Sequence, residues 1–146
     1  MLKLISTSIV PLALIGMVAC SSTEEPAVSE GNSTGTEQIQ IAPIKQTTAA
    51  ELETVRKEQN AIILDVRTPA EVAEGYIDGT SKFIDVNGND FSAELAKLDK
   101  SATYIVYCRS GGRSMRAAET MVNQGFQHVY NLQGGITGWS GKIVRQ

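Results

Sequence analysis

From Ile39 onward the apolar residues fall into blocks of two kinds. The first kind has strand length: IQIAPIK (39–45), AIILDV (61–66), KFIDV (82–86), ATYIVYC (102–108) and HVYNL (128–132). The second has helical spacing. TAAELETVRKEQ (48–59) opens on Thr48 with Glu51 three residues on, a capping box, and then repeats Leu52 and Val55 on one face. TPAEVAEG (68–75) has the same device in Thr68 and Glu71, with Pro69 at the first helical position. DFSAELAKLDK (90–100) sets Phe91, Leu95 and Leu98 on one face, after an NGND turn. RSMRAAETMVNQG (113–125) is predicted helical as far as Gly125, and GGITGW (134–139) begins a last short helix. Strands alternating with helices predict an α/β fold with a central, mostly parallel sheet and helices on both faces. Such sheets place their sites beyond the carboxyl ends of the strands. Two strands end on polar groups there: one at Asp65 to Arg67, the other at Cys108.

The N-terminal part follows neither pattern. Lys3 precedes LISTSIVPLALIGMV (4–18), an apolar run too short, and too interrupted by Ser6, Thr7, Ser8 and Pro11, to suit a membrane span. It ends in MVAC, which resembles a bacterial lipoprotein lipobox, with Met17 where leucine is common. That resemblance implies a signal peptide over 1–19, cleavage before Cys20 and lipidation of Cys20. The mature chain would then be tied to a membrane on the periplasmic side of a bacterial envelope, inner or outer. An ordinary secretory signal cut nearby, or an uncleaved anchor, are the alternatives. SSTEEPAVSEGNSTGTEQ (21–38) is small, polar and acidic, so residues 20–40 read as a flexible tether reaching about 25 Å. The folded domain is expected over 41–146.

Composition adds two constraints. The formal charge is −3, and removal of a leader holding one Lys and no acid makes it one unit more negative, so nothing points to nucleic acid. The chain has two cysteines, and lipidation of Cys20 would leave Cys108 with no intramolecular partner. An exported domain with one cysteine has no disulfide framework, so Cys108 is either a buried inert thiol or a reactive one.

The surroundings of Cys108 favour reactivity. In TYIVYCRSGGRSMRAAE (103–119) it closes a strand and leads into a helix, where unpaired N–H groups and the helix dipole stabilise negative charge. Gly111 and Gly112 let the backbone curl so that several N–H groups converge on one anion. Arg109 and Arg113 add positive charge. A thiolate so held can attack an electrophilic sulfur, as in thiol–disulfide exchange. With thiosulfate the product would be an enzyme persulfide, and a second nucleophile would collect the sulfur.

CRSGGRS at a strand end resembles the active-site loop of the rhodanese (thiosulfate sulfurtransferase) family. ILDVRTPAEVAEGYIDGT (63–80) is similar to that family's first signature, and VYNLQGGITGW (129–139) to its closing one. Together they span about Ile44 to Val144 in the family's order. Tyr76 stands where the family usually carries histidine. The resemblance implies a rhodanese-like fold and a loop, Cys108 to Arg113, wrapped around a persulfide on Cys108. Its anion cradle would be formed by Arg109, Ser110, Gly111, Gly112 and Arg113. The implied partners are a small sulfur-donor anion such as thiosulfate and a thiol or cyanide acceptor. No metal or organic cofactor is implied. Four residues separate Cys108 from Arg113, against five in cysteine phosphatases, and the smaller ring suits a sulfur better than a phosphate. A low-turnover binding or sensing module and a phosphatase or arsenate reductase are the competing readings.

The remaining polar residues have quieter expectations. Ser114 is expected to cap the helix. Asp65 is expected to bond loop amides or a loop arginine, and Arg67 to pair with Glu71 or Glu74. Trp139, Tyr104 and Tyr107 are read as packing residues, and His128 as a surface residue without a metal or dyad partner. LQGGITGW (132–139) lacks the Lys and Ser/Thr of a phosphate loop, which argues against a nucleotide site.

Overall fold

The computed structural model describes residues 42–145. The leader, Cys20 and the tether lie outside the described residues.

Five parallel strands form the main sheet in the order β1-β6-β5-β2-β4. They are β1 (Lys45–Thr47), β2 (Ile62–Asp65), β4 (Thr80–Phe83), β5 (Thr103–Tyr107) and β6 (His128–Leu132). A separate antiparallel pair joins β3 (Tyr76–Ile77) to β7 (Ile143–Val144). The helices are α1 (Ala49–Glu58), α2 (Pro69–Ala73), α3 (Phe91–Ala96) and α4 (Gly112–Asn123), followed by a 3₁₀ turn at Gly135–Gly138.

Central β5 is buried at every position, as a strand covered on both faces must be. On one face Leu64, Tyr104, Val106 and Cys108 pack against Phe91 and Leu95 of α3 and Ala117, Ala118 and Met121 of α4. On the other, Ile63, Ile105, Tyr107 and Leu132 pack against Leu52 of α1, Ile77 of β3 and Ile136 of the 3₁₀ turn. The sheet thus carries helices on both faces, as the alternating pattern predicts.

Both capping boxes form. Glu51 Oε2 accepts from the Thr48 N–H at 3.0 Å, and Glu71 Oε2 accepts from the Thr68 N–H at 3.3 Å. Strand edges differ from expectation. The first strand is confined among the described residues to Lys45–Thr47, where Gln46 pairs with Asn131 of β6. The third expected strand begins two residues early, at Thr80, whose hydroxyl donates to the Ile77 carbonyl at 2.7 Å and turns the chain into the sheet. The β3–β7 pair was not expected, because two-residue strands carry no period.

Candidate active site

Cys108 follows the last residue of β5 and is 1% exposed. Beyond it the chain must reverse within a few residues to start α4. Gly111 makes this turn as the N-cap of α4 with φ of +100°, a left-handed conformation that costs an L side chain roughly 1–2 kcal/mol. The turn aims backbone donors at the sulfur. The Gly111 N–H donates to Sγ at 3.2 Å, and Ser114 Oγ lies 3.5 Å from it. Burial pushes the thiol pKa up. The Ser114 hydroxyl and the N–H groups of Ser114, Gly111 and Ser110 more than offset this, and the net displacement is below the ordinary thiol value.

The loop carbonyls are tied down from outside. Ile136 N–H donates to the Cys108 carbonyl at 2.9 Å, and Thr137 N–H and Oγ1 donate to the Arg109 carbonyl at 3.0 and 2.7 Å. Gly135, with φ of +53°, lets the two segments touch. A Cβ there would collide with the Cys108 carbonyl oxygen and reach within 2.6 Å of the Arg109 carbonyl oxygen.

Two arginines are committed to carboxylates. Arg67 is 6% exposed, and its Nε and Nη2 bind both oxygens of Asp65 at 2.6–3.0 Å. The rest of its guanidinium donates to the carbonyls of Glu71 and Gly75 at 3.2 and 2.8 Å. Arg113 forms a bidentate pair with Glu71 of α2, at 2.7 and 2.6 Å. The Arg113 hydrogen bonds hold the Glu71 pKa at about 2. Arg109 is exposed and makes no ion pair among the described residues. With Arg67, Glu71, Glu74, Ile136 and Thr137 it lines a recess of about 350 Å³. Arg67 also lines a second recess of about 300 Å³, with Pro69, Val72, Ala73, Phe83 and Asp85.

Around the Cys108 sulfur the structure brings the N–H groups of Ser110 and Gly111 together with Ser114, and Gly112 starts α4. Four expectations need correction. Ser114 is not the cap: Gly111 holds that position, and the buried Ser114 hydroxyl turns inward to Sγ, the Gly111 carbonyl and Asn131. Arg67 pairs with Asp65, two residues away at the same strand end, and not with the carboxylate of Glu71 or Glu74. Asp65 accordingly serves Arg67 and its backbone N–H, not the loop amides. Arg113 faces Glu71, so its charge is already partnered. Glu71 and Asn131 were missed as site residues. Glu71 was read as a capping residue and as a possible partner of Arg67, not of Arg113, and Asn131 was hidden inside an apolar strand.

The fold and site define an α/β protein with a cysteine-bearing loop at the carboxyl end of a parallel sheet. The family model for the rhodanese-like domain matches residues 48–142, and the chain belongs to that family. It is 39% identical over 83 residues to a thiosulfate sulfurtransferase GlpE of Pseudomonas fluorescens, covering 57% of this chain and 73% of that protein. It is 33% identical over 82 residues to a sulfurtransferase of Allochromatium vinosum, covering 56% of this chain and 74% of that one. Among solved structures, a rhodanese-like domain protein from Staphylococcus aureus superposes with a TM-score of 0.61 at 30% identity. That match covers 70% of this chain and 99% of the other. The rhodanese-like fold is therefore the fold of this chain.

Proposed function

We propose that this protein is a sulfurtransferase that carries a sulfane sulfur as a persulfide on Cys108. The donor is thiosulfate or a related anion, and the acceptor is a thiol or cyanide. The observation that carries this reading is the Cys108 sulfur itself, held beyond β5 by the Gly111 N–H and within reach of the Ser114 hydroxyl. Relatives named sulfurtransferases support the same chemistry.

The Cys108 thiolate attacks the outer sulfur of thiosulfate. A new S–S bond forms, the old one breaks, and its electron pair leaves with sulfite. The terminal persulfide sulfur carries the negative charge, which the loop N–H groups stabilise. An acceptor thiolate or cyanide then attacks that sulfur and returns Cys108 as thiolate. No proton is needed in either transfer, so the loop works without a general acid. Exposed Arg109 attracts the dianionic donor to the mouth. Arg113, neutralised by Glu71, holds the loop to α2.

Mass spectrometry after thiosulfate treatment tests this. The protein should gain the mass of one sulfur, and Cys108→Ala should not. A chain that loads from no sulfane donor and forms no thiocyanate from cyanide would be a binding module instead.

We propose also that the domain works at the periplasmic face of a bacterial membrane, anchored by lipid on Cys20. Labelled fatty acid should enter the wild-type chain and not Cys20→Ala.

A further inference from the structure

Ser114 has one hydroxyl proton and three acceptors around it. Asn131 Oδ1 lies at 2.6 Å, the Gly111 carbonyl at 3.0 Å and Cys108 Sγ at 3.5 Å. Only one can receive the proton at a time. With Oδ1 turned toward Ser114, the shortest contact takes it and the sulfur goes without. The other end of the same amide, Asn131 Nδ2, donates to Gln46 Oε1 at 3.2 Å. Asn131 is 4% exposed on β6, and Gln46 stands beside it in register on β1, exposed to solvent.

We propose that Asn131 is a positioning residue whose amide orientation decides whether Ser114 donates its hydroxyl proton to the Cys108 sulfur. The two ends of a primary amide have nearly the same shape, so both orientations fit one set of atomic positions. Beside a neutral thiol, Oδ1 faces Ser114 and accepts its proton. Beside a thiolate or persulfide anion, the amide turns over. Nδ2 then donates to Ser114 Oγ, the hydroxyl swings to Sγ, and Oδ1 accepts from Gln46 Nε2 after Gln46 turns as well. No proton changes owner: only the hydrogen bonds reverse direction. The chain Gln46–Asn131–Ser114–Cys108 thus connects the surface of an edge strand to the buried sulfur. Of the charged groups, Arg113 of α4 acts on the sulfur directly, Glu71 of α2 and Asp85 after β4 act on Arg113, and exposed Arg109 follows Cys108 in the loop. None of them belongs to this chain.

The inference deepens the sulfurtransferase reading, but its readout is thiolate formation and not sulfur transfer. Failure of persulfide loading would sink the proposed function and leave this result standing. The probe is iodoacetamide on the full-length chain, with alkylation at Cys108 followed by peptide mass spectrometry across a pH series. Gln46→Glu offers only acceptors, so it holds Nδ2 toward residue 46 and Oδ1 toward Ser114. Because residue 46 is exposed, the fold is not at stake. Below the thiol pKa, this variant should alkylate about tenfold more slowly than wild type, and its pH profile should move upward. In a Ser114→Ala background, Gln46→Glu should change nothing further. An unchanged profile in Gln46→Glu overturns the proposal. So does an equal displacement with and without Ser114, which would mean plain charge repulsion by residue 46.

Discussion

Replacing Glu71 by Gln tests how the loop is fastened to α2. Glu71 Oε1 accepts from Arg113, while Oε2 accepts from Arg113 and from the N–H and hydroxyl of Thr68. Gln has one oxygen for these donors, and its NH₂ faces a guanidinium. A carboxyl pKa lowered from 4.5 to about 2 caps the contribution at about 3 kcal/mol. The pair is not sealed from water, since 23% of the Arg113 side chain and 26% of the Glu71 side chain are exposed. Screening leaves about 1–2 kcal/mol. The pH dependence follows from the direction of the shift. In the unfolded chain Glu71 titrates at its ordinary 4.5, and in the fold at about 2. Its contribution is fully present above the unfolded value and disappears as pH falls through the folded one. Urea unfolding of wild type and Glu71→Gln should therefore differ by about 1–2 kcal/mol at about pH 7 and converge by about pH 2. A difference of the same size at both pH values would refute the reasoning, because it would come from the helix cap or packing and not from the ion pair.

Tyr107→Phe leaves the buried Ile77 N–H without its 3.2 Å acceptor and removes the 3.1 Å contact to Thr80; denaturant unfolding should show a loss of about 1–3 kcal/mol. Gly135→Ala drives a methyl into the carbonyls of Cys108 and Arg109 at a left-handed φ. It should cost about 3 kcal/mol or more, read as a lowered melting temperature together with slower alkylation of Cys108. Arg109→Gln should raise the KM for thiosulfate about threefold to tenfold with little change in kcat. It should also flatten the dependence of kcat/KM on ionic strength, since an exposed charge acts by steering.

The fold was legible because its signals are local. Thr48 with Glu51, and Thr68 with Pro69 and Glu71, announce two helix starts, and the apolar run ATYIVYC reads as a strand, which the structure buries at every position of β5. The site was legible where backbone does the work: a cysteine at a strand end, two glycines and a following helix define the loop without knowledge of anything distant. What escaped was every contact made across sequence. Glu71 reaches Arg113 from 42 residues away, and Asn131 reaches Ser114 from 17. Neither distance leaves a period or a spacing to read. Glu71 was further disguised because capping, and a nearer arginine at Arg67, already accounted for it. The Asp65–Arg67 pair was misread for a different reason. Asp65 is the last residue of β2 and Arg67 lies two residues beyond it, so the side chain of Arg67 folds back onto Asp65 instead of pairing with the carboxylate of Glu71 or Glu74.

The tie between Ile136, Thr137 and the carbonyls of Cys108 and Arg109 bears on how such a loop can diversify. With its outward oxygens held by another segment, CRSGGR does not set its shape alone, and two separated pieces of chain build the loop together. A loop grafted from one protein to another would keep its inward-facing amides only if the GGIT segment travelled with it. Within the loop, change is open at residues 109, 110 and 112, which face solvent, while 108 and 111 are enclosed. On the proposed sulfurtransferase reading, donor and acceptor preference can drift at those three outward positions while the frame around the thiol stays as it is.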